Sequence, residues 1–145
     1  MKNGKQNLYK DRGKRSLLKG IKVPTREELK NDKHIVFSFL HFCKNQGATF
    51  EDWEKEGKLR EAVEMLENYS KKRIDNTDRT YTMYGNFPPN SDFTHPTNVP
   101  EDAYWARIHV NGNHIIGGHI VENVFYIVFL DSNHKFWITK QSLEH

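Results

Sequence analysis

The sequence predicts an α+β domain in which a mainly antiparallel sheet of four to five strands carries two helices on one face. Three observations predict this fold. An apolar segment at 34–42 is followed by a helical pattern at 50–72. After a long polar stretch come four short apolar segments joined by tight turns. Strands joined by so few residues pair antiparallel, and amphipathic helices cover one face of such a sheet.

The first strand is predicted from HIVFSFLHF (34–42), which is apolar, β-branched and aromatic, and we expect it to be central. Thr49 is a good N-cap, with Asp52 in the capping-box position. Between 50 and 72 apolar residues recur every three or four positions, so this segment is helical. Gly57 interrupts it, which predicts a short helix followed by a longer one at 58–72.

Residues 73–102 are rich in Asn, Asp, Thr and Pro and predict a long loop, with room for a short strand at TYTMY. Four strands follow, near 104–110, 114–121, 124–131 and 135–139. A single domain thus spans 34–142. Leu143-Glu144-His145 resembles the start of a vector-encoded tag and is excluded from the fold.

Charge is distributed unevenly along the chain. Residues 1–33 hold eleven Lys or Arg and four Asp or Glu, a net charge of +7, which leaves −4 for residues 34–145 out of the total of +3. We expect 1–33 to be a basic, mostly disordered arm with a short helix that has Pro24 at its first position. The arm is either an electrostatic contact for nucleic acid or a solvated tail.

Cysteine content and hydropathy indicate the cellular compartment of the protein. The one cysteine, Cys43, excludes an internal disulfide and fits a reducing environment. No apolar run approaches the ~20 residues of a membrane span, and the N-terminus lacks the apolar core of a secretory signal. These features favour a cytoplasmic protein without membrane contact.

The meander brings polar side chains to one sheet face. With turns at Asn111-Gly112 and Glu122-Asn123, His109 pairs with His114, and His114 with Asp131. Because side chains alternate, we expect Arg107, His109, His114 and Asp131 to converge on one face. The other face is nearly all apolar and should receive the helices, with His119 on it as a satisfied buried histidine. Gly117-Gly118 in mid-strand indicates a bulge or a close approach.

The segment WARIHVNGNHIIGGHIVENVFYIVFLDSNHKF resembles the C-terminal part of the RelE/YoeB group of ribosome-dependent mRNA-interferase toxins. The similarity covers this meander by motif and the preceding strand and helices by element order. The matching positions are Trp105 and Arg107, Ile115-Ile116, Val121-Glu122-Asn123, Val124–Leu130, and His134 with Phe136.

This resemblance implies a RelE-like fold and an endoribonuclease that cleaves mRNA by attack of a 2′-hydroxyl, without a cofactor. His134 would then be the general acid, and His109 or His114 the base, oriented by Asp131. Arg107 would hold the phosphate. The implied substrate-binding residues are Trp105, Lys135 and Trp137. The implied partners are RNA or the ribosome, and an antitoxin-like protein.

Three alternatives remain open. His114 stands where the family has an Arg, and the body is acidic, which favours a non-catalytic relative that binds RNA or a protein. His109, His114 and Asp131 also resemble a two-histidine, one-carboxylate metal set, although without a ligand-spacing motif. In the third alternative, the histidines have no function and are ordinary residues of a solvated sheet face.

Overall fold

The structure, a computed structural model, describes residues 23–73 and 81–138. Packing divides the chain between Asp32 and Lys33 into two units. The predicted disordered arm falls mostly on residues 1–22, and the predicted tag on 143–145. Both segments lie outside the described residues.

The first unit contains one short helix, α1 (Arg26–Lys30). The Thr25 side chain caps it by accepting a hydrogen bond from the backbone N–H of Glu28 at 3.2 Å. The predicted helix is therefore present. The predicted place of Pro24 inside its first turn is wrong, because Thr25 takes the N-cap and Pro24 precedes it.

The second unit is an α+β domain with a five-stranded mixed sheet. Its elements are β1 (Val36–Ser38), α2 (Phe50–Lys55), α3 (Leu59–Ser70), β2 (Tyr81–Gly85), β3 (Tyr104–Asn111), β4 (His114–Val121) and β5 (Val124–Asp131). The strand order is β1-β5-β4-β3-β2, and every pairing is antiparallel except the parallel one between β1 and β5. The predicted fold class and mainly antiparallel sheet are confirmed. With α1, the described residues hold three helices instead of two.

Helices α2 and α3 form as their sequence predicts. Thr49 and Asp52 form the complete capping box, with bonds of 2.9 and 3.0 Å between each side chain and the other's backbone N–H. Gly57 separates the helices in a left-handed conformation with φ 71°, which costs glycine little. From α3, Ala62 and Tyr69 are buried against the sheet, as is Trp53 of α2.

The predicted central strand at 34–42 is wrong in length and position. Only Val36–Ser38 pairs, and β1 lies at an edge of the sheet. The Ser38 hydroxyl accepts a hydrogen bond from the backbone N–H of Leu40 at 3.1 Å, and the Phe42 N–H donates to the Phe39 carbonyl at 3.0 Å. These local bonds turn the chain away from the sheet ladder.

Both faces of the sheet are covered. The helix face carries Ala106, Ile108, Ile116, Phe125 and Ile127, which pack with Trp53, Ala62 and Tyr69. The opposite face, here called the loop face, carries Trp105, Val128 and Phe129, which pack with Phe93, Val99 and Phe136 from the irregular segments. Polar side chains on the loop face therefore lie beside a second core.

The predicted register of the meander is wrong by one residue. The β3–β4 turn is Gly112-Asn113, so that Asn111 pairs with His114 and His109 with Ile115, with a bulge between His109 and Asn111. One extra residue in a ladder exchanges the two faces beyond it. His114 therefore points to the helix face, whereas His109 stays on the loop face.

A second bulge lies at Gly117-Gly118, as the sequence indicates, and pairs Asp131 with Ile115. A Cβ on Gly118 would lie 2.1 Å from the carbonyl oxygen of Tyr126. The bulge therefore requires glycine at this position. Strand β4 itself alternates regularly from Ile115 to Ile120, so the changed β3–β4 register is what places His119 on the loop face instead of the predicted helix face.

Residues 135–138 of the last predicted strand do not form a strand. The Asp131 carboxylate accepts backbone N–H bonds from Asn133 at 3.2 Å and from Phe136 at 2.8 Å. His134 takes a left-handed conformation with φ 55°. The chain therefore turns back over the loop face, and Phe136 is buried there. Residue 139 lies outside the described residues.

Candidate functional site

The centre of the candidate site is the contact between Arg107 and His134. Arg107 lies on the loop face of β3, and the turn held by Asp131 places His134 beside it. Nη1 of Arg107 is 2.6 Å from Nε2 of His134. A guanidinium can only donate, so Nε2 accepts, and the ring proton lies on Nδ1. Nδ1 in turn donates to the carbonyl oxygen of Trp137 at 3.2 Å, and His134 is neutral in this arrangement.

His109 is the second histidine of the site. Its ring centre is 6.4 Å from that of His134, and the two rings stand at 87° to each other. Nε2 lies 2.8 Å from the carbonyl oxygen of Gly112 and donates to it, which leaves a lone pair on Nδ1. Partial burial lowers the pKa of His109, the positive charge of Arg107 acts in the same direction, and a proton on His134 would add to the effect. A neutral imidazole with a free lone pair can act as a base.

Tyr84 of β2 completes the site, and the sequence analysis missed it. Trp137 stacks on its ring at 4.2 Å and 10°, and the Arg107 guanidinium lies 5.8 Å from the ring centre. Burial raises the pKa of Tyr84, so its hydroxyl stays protonated at neutral pH. That hydroxyl is buried and has no hydrogen-bond partner among the described residues. Because Tyr84 is in the polar stretch 73–102, only the strand-like TYTMY pattern pointed to it.

Asp131 supports the site through the backbone of the turn that follows β5. It is buried, and its two oxygens accept the backbone bonds that shape the turn carrying His134. Its contacts are with the backbone of the turn, and none of them is with His109 or His114, one of which it was predicted to orient. Lys135 is exposed and lines a cleft of about 530 Å³ together with Asp92, Asp131 and Asn133.

Two predicted site residues lie elsewhere. His114 is on the helix face, where Nε2 is 2.6 Å from a carboxylate oxygen of Glu56 and the ring meets the edge of Trp53. It joins the sheet to the end of α2. Trp105 is fully buried between Phe87, His95 and Phe129. It cannot stack a base in this structure. The predicted convergence of His114 with Arg107 and His109 is therefore wrong.

The same register separates the proposed metal ligands. His114 and His109 lie on opposite faces, and the Asp131 oxygens are engaged by the backbone. Across residues 23–73 and 81–138, no three His, Cys, Asp or Glu side chains are placed to hold a metal ion. Within the same residues, no helix is long and apolar enough to cross a membrane.

The site can therefore offer a bidentate cation, a neutral histidine with a free lone pair, a second neutral histidine and an aromatic surface.

Searches of protein-family models, curated proteins and solved structures found no match to this chain. The similarity to RelE/YoeB toxins thus rests on the sequence motifs. Of the residues to which this similarity assigns a role, Arg107, His109, His134 and Trp137 lie at this site.

Proposed function

We propose that this protein has a RelE-like fold and is a RelE/YoeB-like endoribonuclease that acts on mRNA, with its site at Arg107, His109 and His134. The observation that supports this best is the placement of two neutral histidines close to each other and to one arginine. A phosphate flanked by a base and an acid, each within hydrogen-bond reach of an oxygen, needs the two nitrogens about 6 to 9 Å apart. With 6.4 Å between their ring centres, the two imidazoles are close enough to reach the same phosphate.

In the proposed reaction, Nδ1 of His109 takes the proton of the 2′-hydroxyl, and that oxygen attacks the adjacent phosphorus. The bond to the 5′-oxygen breaks, leaving a 2′,3′-cyclic phosphate and a 5′-hydroxyl. A phosphate that binds Arg107 draws the guanidinium away from His134. Nε2 of His134 can then take up a proton from solvent and deliver it to the leaving oxygen. Arg107 stabilises the charge that develops on the phosphorane, and Trp137 offers a face on which a base can stack.

The test is translation in cells after induction of the wild type and of single variants. His134→Asn is preferable to His134→Ala, because Asn tolerates the left-handed backbone at this position. We expect rapid arrest by the wild type and none by Arg107→Ala, His109→Gln or His134→Asn. His114→Gln is the matched control on the helix face and should retain the arrest. Cleavage of mRNA in the arrested cells completes the test.

Two outcomes would count against this proposal. One is a wild type that folds and is soluble but neither arrests translation nor cleaves RNA. The other is a loss of activity in His114→Gln equal to that in His109→Gln, with all variants folded. The second result would mean that the loss is not specific to the histidines of the loop face.

A second candidate is a non-catalytic protein of the same fold that binds RNA or a protein partner. One observation favours it: Phe39 and Leu40 are 52% and 74% exposed, and Phe39 packs edge-on against Phe50, which is also exposed. Adjacent exposed apolar side chains of this size are typical of interaction surfaces. A folded, inactive wild type whose binding is lost in Phe39→Ser and Leu40→Ser would support this candidate.

A further inference from the structure

A second group of histidines lies on the loop face, separate from the proposed catalytic site. Nδ1 of His41, in the turn that follows β1, is 2.9 Å from Nε2 of His119 in the middle of β4. Both rings stack on Tyr126 of β5, each with its centre 4.7 Å from the tyrosine ring. This contact joins residues that are far apart in the chain, and it attaches the turn to the sheet.

His119 is almost completely enclosed, with 1% of its surface exposed. The groups that face it are His41 from the turn, His95 from the loop after β2, Trp105 from β3 and Tyr126 from β5. Within the described residues, Nδ1 of His119 and Nε2 of His95 are buried and lack hydrogen-bond partners. Among the facing groups that can carry charge, His41 and His95 both oppose a charge on His119.

A bond between two imidazoles requires one donor and one acceptor. A first proton on the pair leaves that bond intact but places a charge among aromatic rings, which is costly without a compensating anion. A second proton makes both nitrogens donors, 2.9 Å apart, and adds repulsion between like charges. The pair therefore holds together only when at least one ring is neutral, and it is most stable when both are.

We propose that the His41–His119 pair is a proton-sensitive clasp that holds the turn at 39–43 on the sheet and releases it on acidification. His119 is fixed in a central strand, whereas His41 lies in a short irregular segment. Separation of the pair thus moves the turn and leaves the strand in place. The same turn carries Phe42 and Cys43, whose side chains are partly buried and are uncovered when it is released.

The direction of the pH effect follows from burial. Burial, reinforced by His41 and His95, lowers the pKa of His119 from 6.5 to about 4. Between these values the unfolded or opened chain binds more protons than the closed one, so stability falls as pH decreases. The clasp contributes fully above pH 6.5 and is lost as the pH falls toward 4.

Other contacts of the turn do not titrate. The backbone N–H of Cys43 donates to the Val128 carbonyl at 2.9 Å. Just beyond, the Gln46 amide makes two bonds with the backbone of Thr94, at 2.7 and 2.9 Å. The two Gln46 bonds hold the chain beyond the turn at any pH, whereas the Cys43 bond lies at the end of the turn and is lost when the turn opens. Opening is therefore confined to the turn itself. The hydrogen bonds of Gln46 lie next to the turn, and their removal serves as a control.

The experiment follows the thiol of Cys43, the only cysteine of the chain, with a disulfide reagent that reacts at acidic pH, 4,4′-dithiodipyridine. Its labelling rate in the full chain is divided by that of a free thiol at the same pH. We expect this ratio to rise about fivefold between pH 7 and pH 5 in the wild type, as local opening becomes populated. His119→Phe retains the ring stack but cannot titrate, and should show a constant ratio.

Three further comparisons complete the test. His41→Gln, which keeps a polar partner for His119, should reduce the rise. Gln46→Ala should raise labelling by the same factor at every pH and leave the pH dependence unchanged. The melting temperature of the wild type should fall from pH 7 to pH 4.5 by about 8 °C more than that of His119→Phe. A constant ratio in the wild type, or an equal rise in a folded His119→Phe, would overturn the proposal. If His119→Phe does not fold, an undiminished rise in His41→Gln overturns it.

Discussion

The Arg107 guanidinium donates a hydrogen bond to His134, and the same positive charge lowers the pKa of His109. One cation thus fixes the tautomer of one histidine and, together with burial, favours the neutral form of the other. The two histidines are thereby made chemically different, although both are neutral in the structure. Such a difference is what an acid–base pair needs.

Replacing Arg107 with Ala should raise the pKa of His109. Its charge is the second cause of the shift, after burial, which remains in the variant. Arg107→Lys retains the charge and should keep the pKa low. An NMR titration of the histidine rings measures both variants. A pKa of His109 that is the same in Arg107→Ala and in the wild type would show that the guanidinium has no such effect.

Alanine in place of each of the two adjacent glycines of β4 should lower the free energy of unfolding by very different amounts. A Cβ on Gly118 would lie 2.1 Å from a backbone oxygen, which cannot move without breaking the ladder. A Cβ on Gly117 would lie 3.2 Å from the Phe136 ring, which can shift. We expect Gly118→Ala to lower the free energy of unfolding by about 3 kcal/mol or more, and Gly117→Ala by about 1 kcal/mol. Urea denaturation measures both, and equal costs would contradict the bulge geometry.

Asp131→Ala should destabilise the domain and loosen the turn that carries His134. Two backbone N–H groups lose their acceptor, and the buried one, that of Phe136, costs about 1–3 kcal/mol when it is left unsatisfied. Asp131→Asn keeps one acceptor oxygen and should cost less. The control is Ser132→Ala, which removes only the acceptor of Trp53 Nε1, a bond of 2.9 Å.

The NMR signals of the His134 ring give the second measurement for these variants. They should change in both Asp131 variants and remain as in the wild type in Ser132→Ala. A stable Asp131→Ala with unchanged His134 signals would mean that the turn does not depend on the carboxylate.

Thr49→Ala should lower the melting temperature by about 3 °C, because the first turn of α2 loses one of its caps. Asp52→Asn weakens the reciprocal bond at the same end. Since both changes act on one capping box, the double variant should lose less than the sum of the single losses. Strictly additive losses in thermal denaturation would show that the two bonds act independently.

Local patterns predicted the elements well. The capping box at Thr49, the break at Gly57, the turn at Glu122-Asn123 and the bulge at Gly117-Gly118 all depend on residues close together in the chain. The short β1 is also a local effect, but the Ser38 hydroxyl that ends it competes with a strand-like pattern. Apolar content alone does not reveal such competition.

The candidate site was predicted in part. Arg107 and His109 are on one strand, and alternation alone places them on the same face. The face of His114 depends on whether the hairpin turns at Asn111-Gly112 or one residue later. Both turns are compatible with the sequence, and only packing of the whole sheet distinguishes them. Tyr84 and the histidine pair His41–His119 join distant segments and leave no periodic signal.

The parallel pairing of β1 with β5 has a consequence for the order of folding. β3, β4 and β5 pair with their chain neighbours, so their contacts need only short loops to close. Val36 pairs with Val124, at the far end of the domain, and this contact requires closure of a loop almost as long as the domain itself. During synthesis β1 emerges first and lacks its β5 partner until the meander has left the ribosome. The first strand to be made is therefore expected to join the sheet last.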